Sequence, residues 1–452
     1  MSERNLNLTR RGLLRGALSL TGGLGAAKLM PGLSPLARAS ATHQRYYIFC
    51  YFSGGWDILL GLDPRDPRQF NNGTLRSTLI QPAYELLENS SQDIIRAPNG
   101  LTFGPHIGEL INHADRLAVL RGISMETLTH EVGRRRFLTG KAPSGLQARG
   151  SSASVWLASE LGEGEAIPNL SLRVESFNQG LPSYASALRA GGVEDLLRVL
   201  SPAEVELAPL ARRQLERSLE DAERCAEAGE SAFLRAAAAS RRKVNEMISG
   251  DYGSLFDFNR PNFAALRDHY GFNRVSNDPE VQVALAAQAI TSGLSRCVSV
   301  QVANGLDTHF DNWSSEQGAR QERGFNAIAR LADDLARREY PSGDGSSWLD
   351  HTTIIGFSEF SRTPLINDRG GRDHALTNAA LLLGGPIRGG QVIGASTDVG
   401  MQPSAVNPAT GALDPGGEVL RPEHILQTLY SEVGLGERPD LRVSPLQTLL
   451  RA

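Results

Sequence analysis

The chain has 452 residues, and its 46 lysines and arginines against 50 aspartates and glutamates leave a net charge of −4. That balance gives no basic footprint for nucleic acid. Three cysteines, Cys50, Cys225 and Cys297, lack CxxC spacing, which excludes a disulfide framework, an iron–sulfur cluster or a zinc ribbon and leaves room for one bridge at most.

The N-terminus reads as an export leader. Thr9-Arg10-Arg11-Gly12-Leu13-Leu14 matches a twin-arginine signal, and the Gly- and Ala-rich stretch behind it includes Lys28, too weak and short for a stable transmembrane helix. Ala39-Ser40-Ala41 offers a small-x-small cleavage site, so residues 1–41 are expected to be the leader and 42–452 the mature protein. This predicts a periplasmic or secreted protein that meets the twin-arginine export machinery. No later run of about 18 apolar residues follows, so no membrane span is expected in the mature chain.

The run RYYIFCYFS, Arg45 to Ser53, is apolar and aromatic throughout, as a strand buried on both faces should be, and it stops at Gly54-Gly55-Trp56-Asp57. A helix around Ile107 to His113 precedes a strand at Arg116 to Arg121. A helix from Ala153 to Leu161 precedes a strand at Leu170 to Val174. Residues 202–248 turn Ala-, Glu- and Arg-rich with helical periodicity, which predicts an inserted helical cap of two or three exposed helices. Alternation then returns: helix Val281 to Leu294, strand Cys297 to Val302, helix Glu316 to Arg338, strands Thr352 to Phe357 and Asn378 to Leu383, and helix Glu423 to Val433. Strands alternating with helices predict an α/β domain, a doubly wound, mainly parallel sheet with helices on both faces and a helical insertion.

In such sheets ligands sit beyond the carboxyl ends of the strands. Those ends carry Asp57 in SGGWD, Asp307, His309 and Asp311 in NGLDTHFDNW, and Glu359 in SEFSRTP, with Asp373 and His374 in GGRDHAL just downstream. Each has an ordinary reading: Asp57 as a helix cap, His309 as a loop histidine, Glu359 as a partner of Arg362. Together they suit one or two divalent ions, zinc or manganese first and calcium third. Carboxylates gathered at one edge would otherwise repel each other strongly. An EF-hand is excluded by the absence of glycine at the sharp turn and by Gly318 at loop position twelve; no P-loop, GxGxxG or GxSxG is present.

SGGWD, NGLDTHFDNW, SEFSRTP and GGRDHA behind a twin-arginine leader resemble a bacterial family of exported proteins described as sulfatase-like, within the alkaline phosphatase superfamily. The resemblance covers nearly all of the mature chain. It implies a metal set of Asp57, Asp307, His309, Glu359 and His374, with Phe360 standing where relatives in the superfamily carry a histidine. The segment from His130 to Gly140, HEVGRRRFLTG, resembles the sulfatase nucleophile motif, and alignment on Gly140 puts Arg134 on the motif arginine and His130 on the nucleophile. His130 is then either a covalent nucleophile or, ranked above that, a further metal ligand beside a metal-activated water. Arg134 and Arg372 would hold a small anionic substrate. The implied activity is metal-dependent hydrolysis of phosphate or sulfate esters; the alternative is a catalytically inactive, metal-stabilised binding or assembly protein on the same fold.

Overall fold

The computed structural model describes residues 44–88, 93–200, 208–228 and 252–451. Residues 1–41, expected to be a leader, lie outside the described residues. So do the flanks of the 202–248 segment, of which one helix, Pro209–Ala228, is described.

Strand β1, Tyr46–Phe52, is buried along its whole length and lies at the centre of an eight-stranded sheet. Around it, in chain order, are β2 (Leu117–Ser124), β3 (Asn169–Leu172), β4 (Leu188–Ala190), β5 (Cys297–Ala303), β6 (Thr352–Ser358), β7 (Thr377–Gly384) and β8 (Gln391–Ile393). The spatial order is β8-β2-β7-β6-β1-β5-β3-β4. β1 runs parallel to both β5 and β6, β5 to β3, and β3 to β4. β7 is reversed against β6 and β2, while β8 runs parallel to β2. The expected mainly parallel α/β sheet is therefore present, with one antiparallel strand that the apolar pattern of Asn378 to Leu383 could not distinguish from a parallel one.

The side-chain alternation of β1 divides the core. Ile48, Cys50 and Phe52 point into one apolar cluster, with Val283 and Leu285 of α4 (Pro279–Thr291) and Phe325, Ile328 and Leu331 of α5 (Gly318–Arg337). Tyr47, Phe49 and Tyr51 point into the other, with Phe137 of α1 (His130–Thr139), Val155 and Leu157 of α2 (Ala153–Leu161) and Ile425 and Leu429 of α6 (Pro422–Glu432). Both faces are thus covered, which a parallel sheet requires. Each fully buried side chain of this kind contributes about 1.5–3 kcal/mol. Helix α3, Pro209–Ala228, falls within the predicted insertion. The segment expected to be helical at Ile107 to His113 forms a tighter 3₁₀ helix, Gly108–Arg116. All three cysteines are free. Among the described residues no helix is long and apolar enough to cross a membrane.

This topology places the carboxyl ends of β1, β5, β6 and β3 along one edge. The loops that follow them build the site.

Candidate metal centre

The glycines of SGGWD are a device for close approach. Gly54 has φ +112°, and a Cβ there would lie 2.6 Å from the Leu306 nitrogen and 2.7 Å from that of Asp307, so only glycine lets the β1 loop touch the β5 loop. The Gly54 amide donates to Glu359 Oε1 at 2.9 Å, adding the β6 loop to the same junction. Helix α1 closes in at Gly133, where a Cβ would sit 2.3 Å from the Glu359 carbonyl oxygen. A two-stranded ribbon pairing Ser361–Arg362 with His374–Ala375 folds His374 back over the edge.

Three imidazoles then converge on one carboxylate. Asp307 Oδ1 lies 3.0 Å from His309 Nε2, 3.2 Å from His374 Nε2 and 3.4 Å from His130 Nε2. The two ring nitrogens His309 Nε2 and His374 Nε2 are 3.0 Å apart. Each ring is anchored through its other nitrogen: His130 Nδ1 at 2.8 Å from Glu359 Oε1, His309 Nδ1 at 2.8 Å from Asp373 Oδ1, and His374 Nδ1 at 2.7 Å from the Leu128 carbonyl. A carbonyl accepts only, as does an ionised carboxylate, so each Nδ1 must carry the proton. In the neutral rings every Nε2 is then a lone pair, and two of them face each other at 3.0 Å beside an acceptor oxygen.

That arrangement is repulsive by itself and is relieved by a cation. Around a tetrahedral ion with bonds near 2.0 Å, ligand atoms sit roughly 3.3 Å apart, in the range of the separations about Asp307. Three nitrogens and one carboxylate oxygen are a set that zinc favours. The anchoring of each ring by an oxygen is the outer-shell pattern common to metal-bound histidines. The residues therefore fit a divalent ion held by His130, Asp307 and His374, whose ligand atoms lie within 4.8 Å of one another, with His309 Nε2 beside them at 3.0 Å from both Asp307 Oδ1 and His374 Nε2.

The electrostatics are graded. Burial acts to raise the Asp307 pKa, but the hydrogen bond and charge of the Arg362 guanidinium outweigh it and hold the group well below the usual carboxylate range. Burial pushes His374 down, toward the neutral form a metal needs, with Arg362 and His130 assisting. Burial also lowers His130, but its bond to Glu359 overrides this and raises it. Glu359, buried on all sides, would be raised by desolvation, yet the bond to His130 keeps it low and ionised. The Asp307 side chain is 47 % exposed and those of the three histidines 18–27 %, so the cluster opens to solvent on one side.

Several expected roles change. Asp57 is fully buried away from the cluster: Oδ1 caps a short 3₁₀ turn through the Leu59 amide at 3.1 Å, and Oδ2 takes the Trp313 indole N–H at 2.9 Å. Oδ2 also lies 3.0 Å from Arg372 Nε, an ion pair by distance without an aligned hydrogen bond. With both oxygens engaged, Asp57 serves as the counter-charge of Arg372, and its ligand atoms are not gathered with those of His130, Asp307 and His374. Arg372, expected to hold substrate, is fully buried too, donating to the carbonyls of Thr363, Gln81 and Pro82, so it cannot reach an anion. Glu359 sits behind His130, bonded to its Nδ1 rather than facing Asp307. Arg134 is bonded to Glu175 at 2.8 Å, one helical turn beyond His130. Asp311 is exposed in the turn, and Asp373 takes the supporting place behind His309.

Two residues that line the cluster were not among the site residues expected from the sequence. Arg362 has a fully buried side chain and reaches Asp307 Oδ1 at 2.6 Å and His309 Nε2 at 3.4 Å, while its other donors hold the Gly54 and Gly55 carbonyls. Its place in SEFSRTP after β6 is the sequence signal, which along the chain points first to the nearer Glu359 as its partner. Phe360 walls the site, its ring centroid 4.7 Å from that of His130 and 4.1 Å from that of His374.

The fold and site define an α/β protein with a histidine-rich, solvent-open centre at the sheet's carboxyl edge. The chain belongs to the family described as protein of unknown function, DUF1501, whose profile matches residues 44–410. No curated protein matches it. Among solved structures it is similar to that of BT4656 in complex with its substrate D-glucosamine-2-N,6-O-disulfate, at 11 % identity over 90 % of this chain and 80 % of that one, with a TM-score of 0.34.

Proposed function

We propose that this protein is an exported, metal-dependent hydrolase of phosphate or sulfate esters whose centre is a single divalent ion, zinc or manganese, held by His130, His309, His374 and Asp307. The observation that carries the reading is the convergence of three Nε2 lone pairs on Asp307 while every Nδ1 is tied to an acceptor. His130 acts here as a ligand and not as a covalent nucleophile. The open side of the cluster matches a catalytic ion better than a structural one, which protein would enclose.

A bound divalent ion would supply Lewis acidity and lower the pKa of a coordinated water. The chain's own residues do the rest. Glu359, Asp373 and the Leu128 carbonyl fix the tautomers of the three rings, so that no ring must reorient during turnover. Arg362 keeps a fixed positive charge beside Asp307, where negative charge on a transferring phosphoryl or sulfuryl group would develop. Phe360 excludes water from the back of two rings.

A binding or assembly protein remains the second reading, and one observation favours it. Arg134, Arg135, Arg136 and Arg372, the arginines available near the edge, each sit against a glutamate or aspartate. One experiment separates the two. Mature protein purified without chelator is assayed for metal and then screened against aryl phosphates and sulfates, beside Asp307→Ala. About one equivalent of metal and an esterase activity that both vanish in the variant support the hydrolase. Metal without turnover of any ester supports the binding protein, and a folded protein that takes up no zinc or manganese refutes both.

A further inference from the structure

A second cationic site lies on the same sheet edge, next to the metal centre. A cavity of about 450 Å³ opens beyond the carboxyl ends of β3 and β4 and is lined by Arg134, Arg173, Glu175 and Arg189. Arg173 is the first residue after β3, and Arg189 lies in β4. Glu175 is shared between Arg134 and Arg135, at 2.8 and 2.9 Å. Asp195, beyond β4, is occupied by the Gly191 amide and by Arg198. Three guanidiniums thus line the cavity with a single carboxylate, which Arg135 also engages from outside the lining. Among the described residues, Arg173 and Arg189 have no acidic partner, and both are exposed.

The backbone supports a built site. Arg173 has φ +58°, in the left-handed region that a β-carbon disfavours, and its amide is held there by the Ala190 carbonyl at 3.1 Å. Strain of this kind persists where surrounding structure over-determines it, and it is commonest at binding sites. Here it turns Arg173 out of the strand direction at the mouth of the cavity. Helix α1 links this cavity to the metal centre. His130 and Arg134 are four residues apart, hence on one helix face and roughly 6 Å apart along the axis.

We infer that this arginine-lined cavity binds a second anionic group of the substrate, so that the molecule hydrolysed at the metal centre carries at least two negative groups, one presented to the ion and one to Arg173 and Arg189. The inference rests on the hydrolase reading for the first group only; the cavity's affinity for anions stands or falls independently of it. Guanidiniums bind phosphate, sulfate and carboxylate in bidentate geometry. A ligand bridging two such sites gains affinity only when its spacer matches the span.

The test has two arms. On metal-stripped protein, calorimetric titration with inorganic sulfate compares the wild type with Arg173→Ala/Arg189→Ala. Both positions are exposed and unpaired, so the variant's thermal midpoint should match the wild type and serves as the folding control. Sulfate affinity is expected to fall by on the order of tenfold or more; equal affinity in a folded variant overturns the inference. On zinc-loaded protein, a series of alkane bisphosphonates of increasing spacer length is compared with methylphosphonate. One spacer length is expected to bind at least on the order of tenfold tighter than methylphosphonate, an advantage lost in the variant and on chelation. If no length exceeds methylphosphonate, the two sites do not share a ligand and the inference fails. If zinc does not bind at all, the hydrolase reading falls while the sulfate arm still decides the cavity.

Discussion

Glu359 offers the sharpest test of how the centre is built. Its Oε1 accepts from the Gly54 amide and from His130 Nδ1, its Oε2 accepts from Ser358 Oγ at 3.0 Å, and the residue is 1 % exposed. Glu359→Gln keeps the volume and one acceptor oxygen, and the new NH₂ group can face Ser358 Oγ, so the fold should survive. What disappears is the negative charge that fixes the His130 tautomer and strengthens its basicity. Loss of such a supporting carboxylate costs about 10- to 100-fold in metal affinity, or about 1.4–2.7 kcal/mol. Competitive titration of zinc against a chromophoric chelator, wild type beside variant, measures this directly. Unchanged affinity would show that Glu359 does not hold His130 for a metal. A loss as large as that of Asp307→Ala would mean that Glu359 is itself a ligand, and the geometric reasoning would fail in that case too.

Asp307→Ala removes the oxygen on which all three rings converge, and zinc affinity in the same titration should fall by more than about 100-fold, beyond the loss expected of a supporting carboxylate. Asp57→Asn strips the counter-charge from fully buried Arg372 and should destabilise the fold by about 3–5 kcal/mol in denaturant unfolding. The folded fraction should still bind a full equivalent of metal; loss of metal from folded protein would restore Asp57 as a ligand. Gly54→Ala forces a β-carbon to within 2.7 Å of the Asp307 nitrogen at φ +112°, so it should cost about 1–3 kcal/mol and lower metal occupancy together, because the loop that moves carries Asp307. Chelation of the wild type should lower its thermal midpoint, since an ion at about 1,000 times its Kd adds about 4 kcal/mol to the folded state. A midpoint unaffected by chelator and by added zinc would contradict a metal centre.

The sequence by itself determined the α/β class and the edge on which the site lies. A short apolar, aromatic run such as YYIFCYF that stops at a glycine pair fits a strand buried on both faces, and strands alternating with helices leave their carboxyl ends as the place where polar loops gather. It also marked His309, His374 and Asp307, because acids and histidines clustered after strands. What it could not supply was which of those side chains point at each other. Asp57 and Arg372 look like a ligand and an anion clamp when read along the chain, but folding buries them against one another and against Trp313. His130 and Glu359 lie 229 positions apart, and their pairing depends on Gly133 letting a helix meet the β6 loop. Likewise Arg173 acquires a partner in Arg189 only because β3 and β4 pair in parallel. A ligand set is a matter of angles and distances among distant residues. Periodicity fixes which elements form, and only the packing of those elements fixes where a lone pair is aimed.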